Sequence, residues 1–202
     1  MIVERFILAS RSPRRAELLT QIGVSFETRP ADVDETPRVN EAACHYVERL
    51  AQEKALVVAR HSPGAWVIGS DTSVVLDGHI LGKPRDRADA CETLKRLSGQ
   101  VHQVMTGVAL ANGSDCHSRL VTTDVRFRRL ADEEIAAYVD SGEPMDKAGS
   151  YGIQGLGGIF VEELRGSYSA VVGLPLQETA ALLADAGFPV WKNWPRSLES
   201  LK

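Results

Sequence analysis

Cysteine is scarce in this sequence. Cys44, Cys91 and Cys116 stand far apart among 202 residues, with no CxxC pair and an odd count. That excludes a disulfide framework and a thiolate zinc site, and it suits a reducing compartment. Compact histidine spacing is missing as well, since His45, His61, His79, His102 and His117 form no HExxH pattern. No apolar run approaches the roughly 18 residues of a membrane span. The first eight residues lack the continuous apolar region of a secretory signal. The expectation is a cytoplasmic protein that makes no membrane contact. Positive charge is not in excess: 23 Lys and Arg face 27 Asp and Glu, for a net charge of −4. Bulk attraction to nucleic acid is thereby excluded. Aromatic residues make up 6 % of the chain. None falls inside the basic segment Ser10–Arg15, so that segment has no platform on which single-stranded bases stack. GxxxxGK[ST], GxGxxG and GxSxG are all absent, which argues against a Walker-type NTPase, a dinucleotide oxidoreductase and an α/β-hydrolase.

What is present is an ordinary globular composition, 44 % hydrophobic and 25 % charged, at a length that suits one domain with room for two lobes. No internal repeat or low-complexity tract occurs. Phe6–Ala9 reads as a short buried strand, and Ser12-Pro13 supplies an N-cap with proline at the first helical position. Leu18, Leu19 and Ile22 keep helical spacing up to Gly23, and Val24–Thr28 reads as strand. Ala43, Val47, Leu50, Ala51, Ala55 and Val58 form one stripe of a long helix that ends at Ser62-Pro63-Gly64. Trp66–Ile68 and Val74–Leu76 are strand-like runs interrupted by Gly69-Ser70-Asp71-Thr72. Asp77-Gly78 then turns the chain back through Ile80-Leu81. Asp86 caps a helix to Leu97, and Val101–Ala111 with Arg119–Phe127 forms a hairpin around Asn112-Gly113. A short helix follows near Asp132–Val139, and Gly142–Gly158 is irregular. Ile159–Leu164 and Ala170–Val172 are expected strands, followed by a helix from about Pro175 to Ala186. This alternation predicts an α/β fold with a mixed, twisted sheet flanked by helices. The single domain is expected to span residues 1–187, with 188–202 a tail of no assigned motif.

Three groups of residues carry chemistry. Ser10-Arg11-Ser12-Pro13-Arg14-Arg15 sits where a strand ends and a helix begins, a place that attracts anions, and its guanidinium groups suit phosphate. The alternative is an N-cap with solvated arginines. Asp71 lies between apolar runs, where a carboxylate needs a cation or donors if it is to be buried; the alternative is a strand-end aspartate bonded to backbone. Asp34-Glu35 offers a second carboxylate, and two such groups with substrate phosphate can hold magnesium. Lys54 falls on the apolar stripe of its helix, so it snorkels or meets an anion. Lys83, between Gly82 and Pro84, is ambiguous alone.

In order along the chain, Leu8-Ala9-Ser10-x-Ser12-Pro13-Arg14-Arg15, Gly69-Ser70-Asp71-Thr72, Gly82-Lys83-Pro84, Leu97-Ser98-Gly99 and Lys147-Ala148-Gly149-x-Tyr151-Gly152-Ile153-Gln154-Gly155 stand as spaced motifs. Together, over about Phe6 to Leu183, they resemble the Maf family of nucleotide pyrophosphatases. Thr72 with the Tyr-Gly-Ile-Gln segment looks like the dTTP/UTP branch rather than the 7-methyl-GTP branch. The resemblance implies an elongated, inosine-triphosphatase-like fold with a central cleft. It also implies hydrolysis of dTTP, UTP and modified pyrimidine nucleotides to monophosphate and pyrophosphate. By the same resemblance Asp71 is the proton acceptor and Glu35 an acidic residue near a divalent metal, Mg²⁺ or Mn²⁺. Arg14, Arg15, Lys54 and Lys83 surround the phosphates, with Ser10 beside them, and Arg14, Thr72 and Gln154 bear on substrate choice. A free aspartate with a pKa of about 3.9 is a poor base at neutral pH, so Asp71 is either the general base or a metal ligand that acidifies water. The expected partner is a small nucleotide, with a homodimer allowed. A rival reading is a nucleotide-binding regulator of septum formation without turnover.

Overall fold

The computed structural model describes residues 4–194. Its strands are β1 (Arg5–Leu8), β2 (Glu27–Thr28), β3 (Ala65–Leu76), β4 (His79–Leu81), β5 (Val101–Asn112), β6 (Asp115–Phe127) and β7 (Val161–Arg165). They join in one mixed sheet in the order β2-β1-β3-β5-β6-β7, with β4 paired to β3 off that path. β1 runs parallel to β2 and β3, and the remaining pairs are antiparallel. The helices are α1 (Pro13–Gln21), α2 (Ala43–Arg60), α3 (Arg87–Leu97), α4 (Asp132–Asp140), α5 (Tyr168–Val172) and α6 (Leu176–Asp185). The expected mixed sheet flanked by helices is present.

Local chemistry explains most boundaries. The Ser12 hydroxyl accepts from the Arg15 amide with Pro13 opening α1, and the Asp86 carboxylate accepts from the Asp89 amide at the start of α3. Asp77 and Gly78, with φ of 50° and 78°, make the tight turn between β3 and β4.

Five expectations need correction. Gly69-Ser70-Asp71-Thr72 does not interrupt a strand, because β3 runs unbroken through it and pairs with β5 from Val67 to Val75. Its polar groups find partners inside the fold, which removes the reason to break. Ala170–Val172 is helical, within α5: the Ser167 hydroxyl accepts from the Ala170 amide, and Gly173 ends the turn at φ 135°. The strand expected over Val24–Thr28 shrinks to Glu27–Thr28, and that expected from Ile159 starts at Val161. Conversely, β6 begins already at Asp115.

The long central strand has a divided edge. β5 follows one side of β3, while on the other side β1 pairs with Ala65–Ile68 and β4 with Val74–Leu76. Between them, Gly69–Ser73 has no strand neighbour on that side among the described residues. One face of the sheet is covered by α2, whose backbone comes very close: a Cβ on Gly69 would lie 2.7 Å from the Ala55 nitrogen, and one on Gly107 would lie 3.0 Å from the Val47 carbonyl oxygen. Only glycine permits that approach. The other face carries two apolar clusters. One holds Ile68, Val108 and Leu110 with α1 and α6, and the other holds Val74, Leu76 and Val104 with α3, α4 and Phe160. Ser70 and Thr72 form the polar belt between them.

The boundary expected at residue 187 falls just before Phe188, whose ring meets Phe6 and Trp66 edge-on at centroid distances of 5.4 and 5.5 Å. The Trp194 indole donates to the Ile22 carbonyl at 2.9 Å. Residues 195–202 of the expected tail lie outside the described residues.

Candidate active site

The divided edge of β3 opens into a cleft of about 1190 Å³. Ser10, Arg14, Arg15, Glu35, Lys54, Asp71, Thr72, Lys83 and Gln154 all line it. The strand's alternation sends Asp71 toward α2 and Thr72 toward α1 and α5.

On the α2 side, the stripe position that seemed odd for a lysine is explained. The Lys54 ammonium sits 2.7 Å from an Asp71 carboxylate oxygen and 2.7 Å from one of Glu35. Asp71 is 8 % exposed and Lys54 is 8 % exposed, so the stem is buried and the head meets anions rather than water. The close helix approach at Gly69 brings Lys54 over Asp71. Burial pushes the Asp71 carboxyl above its ordinary pKa, while the positive charges of Lys54 and Arg15 pull it part of the way back. Glu35 goes the other way: burial alone would raise it, but the Lys54 hydrogen bond and the charges of Lys54, Lys83 and Arg15 hold it below the usual carboxylate range. The Tyr46 hydroxyl donates to the Glu35 carbonyl at 2.8 Å and so ties the acidic loop to α2. Burial pushes that phenol up to about 12.

On the opposite side, the α1 cap places Arg14 and Arg15 in the first helical turn. Arg15 reaches back into the sheet, where Nε donates to the Gly173 carbonyl at 2.8 Å, Nη1 to Ser10 Oγ at 3.4 Å and Nη2 to Thr72 Oγ1 at 3.3 Å. Desolvation lowers its pKa, with Asp71 opposing. Thr106 Oγ1 lies 2.7 Å from the Ala170 carbonyl and 3.1 Å from Thr72 Oγ1. Its one proton serves the carbonyl, so the Thr72 hydroxyl donates to Thr106 and accepts from Arg15. Thr72 therefore works inside the wall, holding a guanidinium at the cleft. Ser70 is spent on the Gly107 and Gly173 carbonyls at 2.8 and 3.0 Å.

Lys83 is exposed at the β4 end of the cleft, and Gln154 is exposed on the glycine-rich wall. Sequence reasoning missed Tyr138 and Glu143: Glu143 lines the cleft beside Lys147 of the spaced motif, and Tyr138 stands behind it. A glutamate entering a glycine-rich stretch resembles any loop charge, and only the fold shows what its carboxylate holds.

Fold and site together define a class: mixed α/β proteins whose sheet splits at a charged cleft. The HAM1 protein from Coxiella burnetii shares the fold, with a TM-score of 0.53 at 15 % identity, covering 91 % of this chain and 100 % of that one. Within this class the chain belongs to the Maf-like protein family, whose model matches residues 5–186. A Shewanella oneidensis protein named dTTP/UTP pyrophosphatase is 58 % identical over 189 residues, covering 90 % of this chain and 97 % of that relative. A Myxococcus xanthus protein of the same name is 55 % identical over 187 residues, covering 92 % and 95 %.

Proposed function

We propose that this chain hydrolyses dTTP and UTP to the monophosphate and pyrophosphate. The observation that carries the reading is the buried Asp71–Lys54 pair, joined by Glu35 at the divided edge of β3 and faced by Arg14, Arg15 and Lys83. Breaking the α–β phosphoanhydride requires a water aimed at the α-phosphorus and a site that neutralises the departing pyrophosphate. Asp71 is the group that accepts the water proton, and its burial moves it toward a useful base. Lys54 moderates that basicity and orients the carboxylate, while Arg14, Arg15 and Lys83 meet the phosphate oxygens. The relatives named above support the pyrimidine assignment. Gln154, on the wall away from the phosphate cluster, is the residue we assign to the base edge, with its amide offering both a donor and an acceptor.

Asp71 and Glu35 converge on one ammonium and supply hard oxygen donors, and no third His, Cys, Asp or Glu completes a cluster among the described residues. That set fits Mg²⁺, or Mn²⁺, carried on a triphosphate rather than a resident ion. When bound, such a cation supplies charge for the phosphate oxygens and acidifies water. The three cysteines are free thiols, which supports a reducing cytoplasmic setting. A binding regulator without turnover has no use for the buried ion pair, which apolar residues would replace at no loss of stability.

The test is a screen of nucleoside triphosphates with and without magnesium, scoring pyrophosphate against orthophosphate. Pyrophosphate released fastest from dTTP and UTP is the expected result. Nucleotide binding without product, or orthophosphate as the product, overturns the reading.

A further inference from the structure

The wall that presents Gln154 is built of short backbone turns, the Gly155 amide donating to the Gly152 carbonyl at 3.3 Å and the Gly158 amide to the Gly155 carbonyl at 3.1 Å. Gly152, Gly155, Gly157 and Gly158 surround the glutamine, and glycine loses more freedom on ordering than any other residue. The side-chain bonds to its amides come from one pair of residues outside the segment, while Ile153 packs into both apolar clusters. Glu143 Oε1 accepts from the Tyr138 hydroxyl at 2.8 Å and from the Gly157 amide at 3.1 Å, while Oε2 accepts from the Leu156 amide at 2.9 Å. The same phenol accepts from the Gly152 amide at 3.1 Å. Amides on both sides of Gln154 thus end on one carboxylate and the hydroxyl bonded to it. The Lys147 ammonium donates to the Glu143 carbonyl at 2.8 Å and fixes the glutamate's own backbone.

The glycines are the complement of this clamp. A Cβ on Gly155 would lie 2.6 Å from the Glu143 Cδ, and one on Gly157 would lie 2.8 Å from the Tyr138 hydroxyl. The segment folds around the carboxylate because it has no side chains there. Burial would raise the Glu143 carboxyl, but the Leu156 and Gly157 amides, the Tyr138 hydroxyl and Lys147 hold it below its ordinary range. The group is therefore an acceptor only, and both of its oxygens face the loop.

We infer that Glu143 and Tyr138 are positioning residues for base selection: they set where Gln154 stands in the cleft without touching the nucleotide. The inference rests on the pyrimidine reading of the cleft. A glutamine amide that can flip follows either pattern of base edge, so discrimination depends on the wall that fixes it. A clamp that merely supported the fold would change stability and all substrates alike; a positioning clamp changes the ratio between them.

Glu143→Gln tests this at constant shape. A glutamine presents one acceptor oxygen and one NH₂, so either orientation turns a donor toward the Leu156 amide or toward the Gly157 amide and the Tyr138 hydroxyl. Tyr138→Phe removes only the hydroxyl, and with it the bonds to Glu143 and the Gly152 amide. The kcat/KM values for dTTP, UTP and CTP, together with amide hydrogen exchange over residues 152–157, read the result. The dTTP-to-CTP ratio is expected to fall about tenfold in Glu143→Gln and about threefold in Tyr138→Phe, as the loss of one or two buried hydrogen bonds implies. Exchange over 152–157 should rise, and kcat for CTP should stay within about threefold of the parent. An unchanged ratio with uniformly lower rates, or unchanged exchange, overturns the inference. If Glu143→Gln does not fold, Tyr138→Phe decides alone. If the parent releases no pyrophosphate from any triphosphate, the pyrophosphatase reading fails, and the ratio of dTTP and CTP dissociation constants in parent and variants decides the clamp.

Discussion

Replacing Lys54 by methionine keeps the stem's apolar contacts and deletes only the ammonium shared by Asp71 and Glu35. Asp71 is then a carboxylate 8 % exposed without its 2.7 Å partner. Breaking a buried pair from one side costs about 3–5 kcal/mol. The protein can escape part of that by protonating Asp71, and neutralising a carboxyl of ordinary pKa costs about 4 kcal/mol at pH 7. Both routes put the loss at pH 7 near 3–4 kcal/mol. The pH dependence follows from the direction of the shift. Burial already holds the folded pKa of Asp71 above its ordinary value, and losing Lys54 raises it further. Between the unfolded and folded pKa the folded chain binds the extra proton, so unfolding free energy falls as pH rises through that window and is flat beyond it. Glu35, which Lys54 helps hold below its ordinary value, contributes stability to the parent that is present above the unfolded pKa and lost in acid. Both terms make the gap between parent and variant grow from pH 4 toward neutrality. Lys54→Met/Asp71→Asn, with neither charge of the pair left, should recover at least about 2 kcal/mol relative to the single variant. Urea unfolding followed by circular dichroism at pH 5, 6 and 7 measures all three proteins. A loss below about 1 kcal/mol at pH 7, a gap that does not grow with pH, or a double variant as weak as the single one would refute the reasoning.

Asp71→Asn should stay folded and lose at least about 10²-fold in kcat for dTTP, or about 2.7 kcal/mol of transition-state stabilisation; activity within about threefold of the parent removes it from the proton-acceptor role. Thr72→Val deletes the acceptor for Arg15 Nη2 and the donor to Thr106. KM for dTTP should rise about fivefold or more with kcat less affected, and steady-state kinetics check this. Gly69→Ala drives a methyl into the α2 backbone, 2.7 Å from the Ala55 nitrogen, and should lower stability by about 1–3 kcal/mol in urea. Ending the chain at Gly187 removes Phe188 from Phe6 and Trp66; a loss of about 2 kcal/mol and roughly 4–8 °C in Tm is expected by calorimetry, against no change if the domain ends at 187.

What the sequence made legible was governed by local signals. Ser12-Pro13 and Asp86 mark helix starts because caps act within three residues, and the stripe on α2 follows from its period. The five-residue α5 escaped because Tyr168–Val172 is too short and too β-branched for period to separate helix from strand. The continuity of β3 escaped for a different reason. Gly69-Ser70-Asp71-Thr72 looks like a break until the partners of its side chains are known, and these lie in α2, β5 and the turn at Gly173. Lys54 was suspect by position alone, yet only the fold brings Asp71 and Glu35 to it. Tyr138 and Glu143 gave no signal, since their role is to hold backbone amides, which are the same in every sequence.

The division of the β3 edge also governs how the cleft behaves mechanically. The apolar clusters on either side of the polar belt are joined by β3 and β5, each continuous from one to the other, and by β6 paired along β5. No flexible connection between those clusters lies along these strands. Parting the two clusters therefore requires changing the twist of long hydrogen-bonded ribbons, as in a leaf spring, whatever the loops that line the cleft do. A ligand that reaches only one bank leaves that twist unchanged, whereas one long enough to grip both acts on a single stiff ribbon.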